Sequence, residues 1–304
     1  MNSIRNHATS DGQIGDPRKV VIKDVSNETN KPIINPASEQ LLLAIIDNLP
    51  QSLIITGAPR LGLSTIARYI SELLQITPII ILPEKDEKID IDKGVISVGL
   101  MRRLYNDTRT INNSQRIIII DYAERMTVQS QNAFLKLLEE PSDNLYFILV
   151  THSTAKLLPT ILSRLEKLAI KPITTDQSNI LIDSLGVTDK TKRSQLLFMA
   201  DGLPAELTQL MADDEYFNKR QTMVRDAREI IQANLYQKLL LAHKYKDNRN
   251  DALLLIADAL NILQNTIIKQ PKLETIIYID KLLKTYQRIE ANGNIRLCLA
   301  QMVI

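Results

Sequence analysis

A glycine-bearing turn followed by two hydroxyls is the first stretch of this sequence that could do chemistry. Gly57 and Gly62 lie five residues apart, and Ser64 and Thr65 come just after them. Such a turn, set between a strand and a helix, points backbone amides at an anion, and the helix N-terminus adds positive potential. The spacing therefore predicts the shape of a phosphate-binding loop. The lysine of such a loop is missing, because Leu63 follows the second glycine.

The missing lysine bears directly on nucleotide binding. In loops of this kind the lysine holds the β- and γ-phosphates, and a leucine cannot replace its charge. Arg60 lies inside the loop, but it would reach a phosphate at a different point and from a different direction. We therefore expect a turn that keeps its shape with no ATP or other cofactor bound. ATP held through Arg60 stays open as the alternative.

An aspartate and a threonine-histidine pair end two apolar runs further along the chain. Asp121 follows four isoleucines, and Thr151 follows the run at residues 146–150. Apolar runs with no polar face are typical of strands buried on both sides of a parallel sheet. Open α/β sheets bind ligands beyond the carboxyl ends of their strands. The pattern predicts that Asp121 and Thr151 lie at the same edge of one sheet.

The residues after Asp121 offer no evident general base for hydrolysis. Tyr122 follows directly, and tyrosine cannot accept a proton near neutral pH without a large shift of its pKa. Glu124 lies two residues further on and is expected to point elsewhere. His152 has no partner at a catalytic spacing, and the three histidines of the chain suggest no metal site. Together with Leu63, this argues against hydrolysis in the chain's own site.

The elements that must position these residues alternate between strands and helices in the first half of the chain. β-Branched apolar runs predict strands, and amphipathic runs of good helix formers predict helices. The predicted strands are residues 53–56, 78–82, 117–120, 146–150 and 168–170, and the predicted helices are residues 36–48, 64–75, 98–106 and 130–140.

From about residue 172 the chain is predicted to be helical, because glycine nearly disappears and apolar residues recur at helical spacing. A helical bundle is the natural arrangement of such a segment. The predicted helices are residues 175–185, 191–200, 203–212, 216–244, 251–269, 272–291 and 295–304.

These elements divide the chain into four parts. Residues 1–33 are polar without periodicity and are predicted to form a flexible N-terminal arm. An α/β domain, a parallel sheet flanked by helices, follows at residues 34–171. A small helical lid of three helices is expected at residues 172–213 and an all-α domain at residues 214–304.

Composition narrows the class of protein further. The 304 residues carry a formal net charge of +2 at pH 7, which argues neither for nor against a nucleic-acid partner. The single cysteine, Cys298, excludes an internal disulfide and a cysteine-based zinc site. No apolar run is long enough to cross a membrane, and the N-terminus has no apolar signal core. We therefore expect a cytoplasmic protein with no membrane partner.

The block from residue 116 to residue 165 resembles the AAA+ subunits of clamp loaders. That family combines a Walker B aspartate, a helix of the form AxNALLKxLEEP, a sensor-1 strand end and a Ser-Arg-Cys motif. Only the cysteine of the last motif is replaced, by Leu165. Outside the ATPase domain the resemblance is limited to helical character. The residues that match in order and spacing are Asp121, residues 131–141, Thr151-His152 and Ser163-Arg164.

The resemblance implies that Arg164 acts outside its own subunit. In the family the arginine of this motif reaches the ATP site of the next subunit, where such a guanidinium can raise the rate of phosphoryl transfer by roughly 10³–10⁵. Arg164 would be this trans arginine finger, with Ser163 beside it. The other interpretation is an arginine in a salt bridge at the sheet edge. The chain's own nucleotide site, empty or occupied, would consist of Gly57, Gly62, Ser64, Thr65, Asp121 and Thr151.

Two features of the family are missing from the sequence. The third lid helix usually opens with a glycine-rich turn and a sensor-2 arginine, whereas residues 201–206 contain no arginine. Many family members also carry a four-cysteine zinc module before the Walker B strand, and residues 83–94 contain no cysteine. A third nucleotide contact is therefore missing, and no metal is expected.

The resemblance makes a non-hydrolysing clamp-loader subunit the leading hypothesis, with no ATPase activity of its own. It would assemble a ring with gamma/tau-like ATPase and delta-like subunits through a collar at residues 214–304. The ring would load a sliding clamp on primer–template DNA during replication, within a DNA polymerase III holoenzyme. The alternative is an active, gamma/tau-like AAA+ ATPase with a divergent loop, and a third possibility is an AAA+ scaffold outside replication. Arg102 and Arg103 form either a solvated helix face or a patch near DNA or a neighbouring subunit.

Overall fold

The computed structural model describes residues 31–303, apart from residue 92 and residues 109–113, 141–143 and 270–271. Contacts divide the chain into two units, Met1–Lys31 and Pro32–Ile304, and the described fold belongs to the second. The arm predicted at residues 1–33 lies almost entirely outside the described residues, so it stays a prediction.

The described residues form seven strands: β1 (Ser52–Thr56), β2 (Ile79–Ile81), β3 (Glu84–Lys85), β4 (Lys88–Ile89), β5 (Arg116–Ile120), β6 (Leu145–Thr151) and β7 (Glu166–Ala169). Five of them make one parallel sheet in the order β2-β5-β6-β1-β7. The short strands β3 and β4, which the sequence did not predict, form a separate antiparallel hairpin.

Thirteen α-helices surround or follow this sheet in the described part of the chain. Short 3-10 helices at Ala123–Arg125 and Thr154–Lys156 follow β5 and β6. The helices are α1 (Pro36–Asp47), α2 (Leu63–Leu73), α3 (Val98–Thr108), α4 (Val128–Glu139), α5 (Pro159–Leu162), α6 (Thr175–Ser184), α7 (Lys190–Ala200), α8 (Pro204–Ala212), α9 (Asp214–Gln232), α10 (Leu235–Lys244), α11 (Arg249–Lys269), α12 (Leu273–Glu290) and α13 (Ile295–Val303).

The isoleucine run forms β5, an internal strand that is buried on both faces, as predicted. Ile117 and Ile119 belong to the apolar core on the side of α1 and α2, and Ile118 and Ile120 belong to the core on the side of α3, α4 and α5. Because successive side chains of a strand point to opposite faces, one apolar run supplies both cores. Asp121 then follows at the carboxyl end of the strand.

The helical half contains two further apolar cores. One joins α6, α7, α8 and part of α9 around Ile182, Leu196 and Leu210. The other joins α9 to α13 around Ile256 and Leu282. The predicted architecture, a parallel α/β sheet flanked by helices and followed by a helical region, is therefore confirmed. The domain boundaries placed at residues 171 and 213 stay predictions.

One predicted helix, at residues 216–244, is wrong. The chain forms two helices there, α9 and α10, and Ala233 and Asn234 separate them. The Asn234 side chain accepts a hydrogen bond from the Gln237 amide, and the Gln237 side chain accepts one from the Asn234 amide. This reciprocal capping box satisfies the first amides of α10 and stabilises the break. The bounds of the other predicted elements agree within about two residues at each end.

Among the described helices, α11 is long and apolar enough over Arg249–Ile268 to cross a membrane. In this fold it packs against α9 and α12. Leu255, Ile256 and Ala259 are fully buried in that core. Packing inside the helical region therefore accounts for the apolar residues on this buried face of α11.

Candidate functional site

The glycine turn connects β1 to α2 and is shaped by its two glycines. Gly62 has φ +78°, a left-handed conformation that favours glycine, and it immediately precedes α2. A side chain on Gly57 would place its Cβ 2.8 Å from Leu61 Cδ1 and 3.0 Å from the Ile170 carbonyl oxygen. Only glycine fits there without displacing β1 or its neighbours. The turn therefore has the strand–turn–helix geometry that its spacing predicts.

Leu63 is turned away from the surface of this loop. Its side chain is only 1% exposed, and it packs in the apolar core shared by α1, α2 and the sheet. Its Cδ2 would lie 3.1 Å from a Cβ on Gly57, so it fills the space beneath the turn. The first turn of α2 thus presents the hydroxyls of Ser64 and Thr65 without a cationic side chain from position 63.

Arg60, the cation inside the loop, contacts helices α8 and α9. Its backbone has φ +68°, and its guanidinium donates hydrogen bonds to the carboxylate of Glu206 and the amide oxygen of Gln209 on α8. The guanidinium carbon also lies 5.2 Å from the centre of the Tyr216 ring. The Arg60 carbonyl accepts a hydrogen bond from the Ala205 amide at 3.2 Å. These contacts hold Arg60 against α8 and α9.

Asp121 is buried at the carboxyl edge of the sheet, close to the glycine turn. Burial raises the pKa of its carboxyl, and a hydrogen bond from Ser64, one from the Tyr122 amide, and the charges of His152 and Arg68 partly offset that rise. The Tyr122 amide donates to Asp121 Oδ1 at 3.0 Å. Asp121, which matches the Walker B aspartate of the family, and Ser64 of the turn are therefore neighbours.

Replacing Asp121 with asparagine is expected to raise the free energy of unfolding at pH 7. The folded pKa lies above the ordinary value of 3.8. The folded carboxylate therefore carries a penalty that grows as the pH rises through that value and is fully present at neutral pH. Asparagine keeps the shape and an acceptor for the Tyr122 amide. Urea unfolding at pH 7 and at about pH 3 checks this, since an equal gain at both pH values would contradict it.

Thr151 and His152, at the end of β6, meet the carboxylate of Glu124. The Thr151 hydroxyl donates to Glu124 Oε2 at 2.6 Å, and the His152 amide donates to the same oxygen at 3.4 Å. Glu124 therefore points at the sensor-1 position, and the expectation that it points elsewhere is wrong. The 3-10 helix Ala123–Arg125 turns it back toward β6, and its spacing of three residues from Asp121 is the signal that could have found it.

His152 links this edge to the glycine turn. Its Nδ1 lies 3.3 Å from the Gly57 carbonyl oxygen, and its ring packs edge-to-face on Tyr122 with centroids 5.9 Å apart. Because β5, β6 and β1 are adjacent and parallel, their carboxyl ends lie together. The fold brings Gly57, Gly62, Ser64, Thr65, Asp121 and Thr151 to this one edge.

Arg164 lies apart from that cluster, on the exposed turn after α5. Its Nη1 donates to the Thr160 carbonyl at 2.8 Å, and its Nη2 donates to Glu139 Oε1 of α4 at 2.9 Å. The arginine side chain is 39% exposed and that of Glu139 is 52% exposed. Ser163 is also exposed, and its hydroxyl donates to the Thr160 carbonyl at 3.1 Å. The guanidinium therefore takes part in a surface ion pair.

The first turn of the third lid helix, α8, contains Ala205 and Glu206 where the family would place its sensor-2 arginine. On α3, Arg102 and Arg103 are exposed, and Arg103 lies 3.7 Å from a Glu84 carboxylate oxygen. This is compatible with both interpretations of that arginine pair, so neither is decided.

Comparison with known proteins points to one family. Residues 74–174 match the family model described as "DNA polymerase III, delta subunit". The DNA polymerase III subunit delta' of Bacillus subtilis is 29% identical over 116 residues, which are 38% of this chain and 34% of that protein. The delta' subunit of Haemophilus influenzae is 48% identical over 52 residues, 17% of this chain and 16% of that protein.

The gamma/tau subunit of DNA polymerase III from Mycobacterium bovis is 43% identical over 54 residues, 18% of this chain and 9% of that protein. The matched stretches thus span about a third or less of these relatives' lengths. The family match covers the strand edge with Asp121 and Thr151 and the turn with Arg164. Over this stretch the chain is therefore similar to the delta' subunits of DNA polymerase III.

Proposed function

We propose that this chain is a non-hydrolysing clamp-loader subunit that helps to assemble the ring and donates Arg164 to the ATP site of a neighbouring subunit. One contrast between two positions carries the proposal. Leu63, where a phosphate-binding lysine would be, is buried in the core. Arg164, where the family motif has its arginine, lies on the surface.

The contacts of Arg164 suit a role in trans. Its partner Glu139 is half exposed, and an exposed ion pair of this kind stabilises a protein by only about 0.2–1 kcal/mol. The guanidinium can therefore leave Glu139 for a phosphate at small cost. The Thr160 carbonyl, its other partner, lies in the short helix α5 that precedes Arg164, so it constrains the side chain only locally.

Three differences from an active site support the absence of hydrolysis in this chain. Position 63 has leucine in place of a cationic side chain, and Tyr122 occupies the position of the family's catalytic glutamate. The first turn of α8 contains Ala205 and Glu206 and has no sensor-2 arginine. Arg60 is engaged by Glu206. We therefore propose that the glycine turn holds no ATP, and that its shape is retained for folding.

The proposed partners are gamma/tau-like and delta-like subunits, the sliding clamp and, through the complex, primer–template DNA in the cytoplasm. Exposed apolar side chains on the helical region support assembly, since contiguous apolar surface marks protein contacts. Leu235, Tyr236 and Leu240 on α10 and Ile276 and Ile277 on α12 are each at least half exposed. A collar that joins the subunits would cover such side chains.

One observation favours the alternative, an active gamma/tau-like ATPase. Glu124 brings a carboxylate to the Thr151 hydroxyl at the edge where a nucleotide would bind. The Glu124 carboxylate could orient the attacking water molecule, which is the task of the family's glutamate at the position that Tyr122 occupies here. The two functions differ in what the isolated chain does with ATP.

The isolated chain is expected to show no magnesium-dependent ATP turnover, and Leu63→Lys alone should not create any. A lysine at position 63 would add a phosphate ligand, but Tyr122 would still lack a base. Calorimetric titration with ATP and a phosphate-release assay on both proteins measure this. Turnover in either protein that Asp121→Ala abolishes would reject the proposal in favour of the active ATPase. Turnover that survives Asp121→Ala would instead indicate a contaminating enzyme.

A further inference from the structure

A continuous series of charged side chains joins the glycine turn to the helical region. Arg60 contacts Glu206 on α8, Glu206 accepts a hydrogen bond from Arg220 Nε on α9 at 3.1 Å, and Arg220 contacts Asp258 on α11. The Tyr216 hydroxyl adds a bond to Glu206 at 2.9 Å. The series crosses all three of the predicted folded parts of the chain.

The inner members of this series are deeply buried. Arg220 is 2% exposed, and Glu206 and Asp258 are also buried. Arg220 donates from Nη1 and Nη2 to the two oxygens of Asp258, at 2.7 and 3.0 Å. A bidentate pair of this kind fixes orientation as well as adding energy. Contacts from α9 and α11 therefore hold Glu206 in place, and they do not depend on its contact with Arg60.

The outer member, Arg60, uses that fixed carboxylate to hold the turn. Its guanidinium contacts Glu206 and Gln209, and its carbonyl accepts the Ala205 amide. Both side-chain and backbone contacts thus connect the loop to the first turns of α8.

We propose that Arg60, Glu206 and Arg220 form a latch that fixes α6 to α8 against the glycine turn without nucleotide. A lid whose position depends on a ligand shifts its conformation when the ligand binds or leaves. Here the protein's own guanidinium supplies the contact between turn and lid, so one arrangement persists in both conditions. This inference concerns the isolated chain, and it stands whether or not the chain works in a clamp loader.

Distance measurements between spin labels test the latch. Labels on Glu72→Cys in α2 and Lys190→Cys in α7 use exposed positions on either side of it, and Cys298 is buried. A sample without the two introduced cysteines reports any labelling of Cys298. We expect one narrow distance distribution, unchanged by ATP and magnesium. Arg60→Ala and Glu206→Gln should each broaden it.

Hydrogen exchange gives a second measurement on unlabelled protein. In Arg60→Ala the Ala205 amide should exchange about tenfold faster, the effect of losing one charge-assisted hydrogen bond between the turn and α8. Arg60 is one-third exposed, and without it Glu206 still contacts Arg220 and Tyr216, so this variant should fold even if Glu206→Gln does not.

Arg193→Ala is the matched control, because Arg193 bonds Asp183 and Asn179 within the lid and does not reach the turn. It should leave the distance distribution and the Ala205 exchange rate unchanged. A distribution in Arg60→Ala as narrow as that of the parent protein would overturn the proposal. A shift of the parent's distribution on addition of ATP and magnesium would overturn it as well.

Discussion

Arg164→Ala is expected to lower the DNA-stimulated ATPase of a reconstituted clamp loader by about 10³-fold or more while the ring still assembles. The guanidinium would stabilise charge on the phosphoryl group transferred in the neighbouring subunit. Arg164 and Glu139 lie on the surface, so the substitution leaves no buried charge behind and the chain should fold normally. Phosphate release from the complex, with size-exclusion chromatography to verify assembly, measures the effect.

Three control variants make this result specific. Arg164→Lys keeps the charge without the planar fork and should recover only part of the rate. Glu139→Gln frees the guanidinium from its ion pair and should leave the rate unchanged or slightly raised. Arg225→Ala removes an exposed arginine from α9 and should have no effect. An ATPase rate in the Arg164→Ala complex equal to that of the parent complex would reject the finger role, although it would leave membership of the ring intact.

Asp258→Asn is expected to lower the free energy of unfolding by about 1.5–3 kcal/mol. It removes the charge that faces the guanidinium of Arg220, which is 2% exposed and donates two hydrogen bonds to the Asp258 carboxylate. Glu206 still faces the Arg220 guanidinium in this variant, so the cost comes from losing the bidentate, charge-assisted pair with Asp258. Urea unfolding followed by circular dichroism measures the change.

An exposed ion pair provides the comparison for this result. Lys284→Ala breaks the pair with Asp280, in which both side chains are more than half exposed, and should cost less than about 0.5 kcal/mol. The double variant Arg220→Met with Asp258→Leu replaces the buried pair by apolar groups and should recover much of the stability lost in Asp258→Asn. If Asp258→Asn loses no more unfolding free energy than Lys284→Ala, the charge of Asp258 does not contribute to stability and the prediction is wrong.

The sheet and its functional edge could be predicted because their signals are local. Four isoleucines in a row leave no polar face, so β5 had to be buried on both sides, and the residue after it had to appear at the carboxyl edge. The glycine turn is equally local, since Gly57 is required by the close approach of Leu61 and Gly62 by its positive φ. Helix bounds follow from caps and proline in the same way.

What could not be predicted depends on residues far apart in the sequence. Arg60 and Glu206 are 146 residues apart, and no pattern in either segment reveals the other. Glu124 and Thr151 meet because the 3-10 helix after β5 folds back toward β6, which spacing along a strand does not show. The break between α9 and α10 differs from these, because the capping signal formed by Asn234 and Gln237 was present in the sequence and the apolar spacing obscured it.

The burial of Leu63 has a consequence for how this chain can change over time. Once a side chain at this position helps fill the space beneath the turn, restoring a lysine would leave a void there and bring an ammonium stem through an apolar layer. Folding stability itself therefore opposes a change from leucine to lysine at position 63, and further substitutions around Gly57 and Leu61 would be needed to accommodate it.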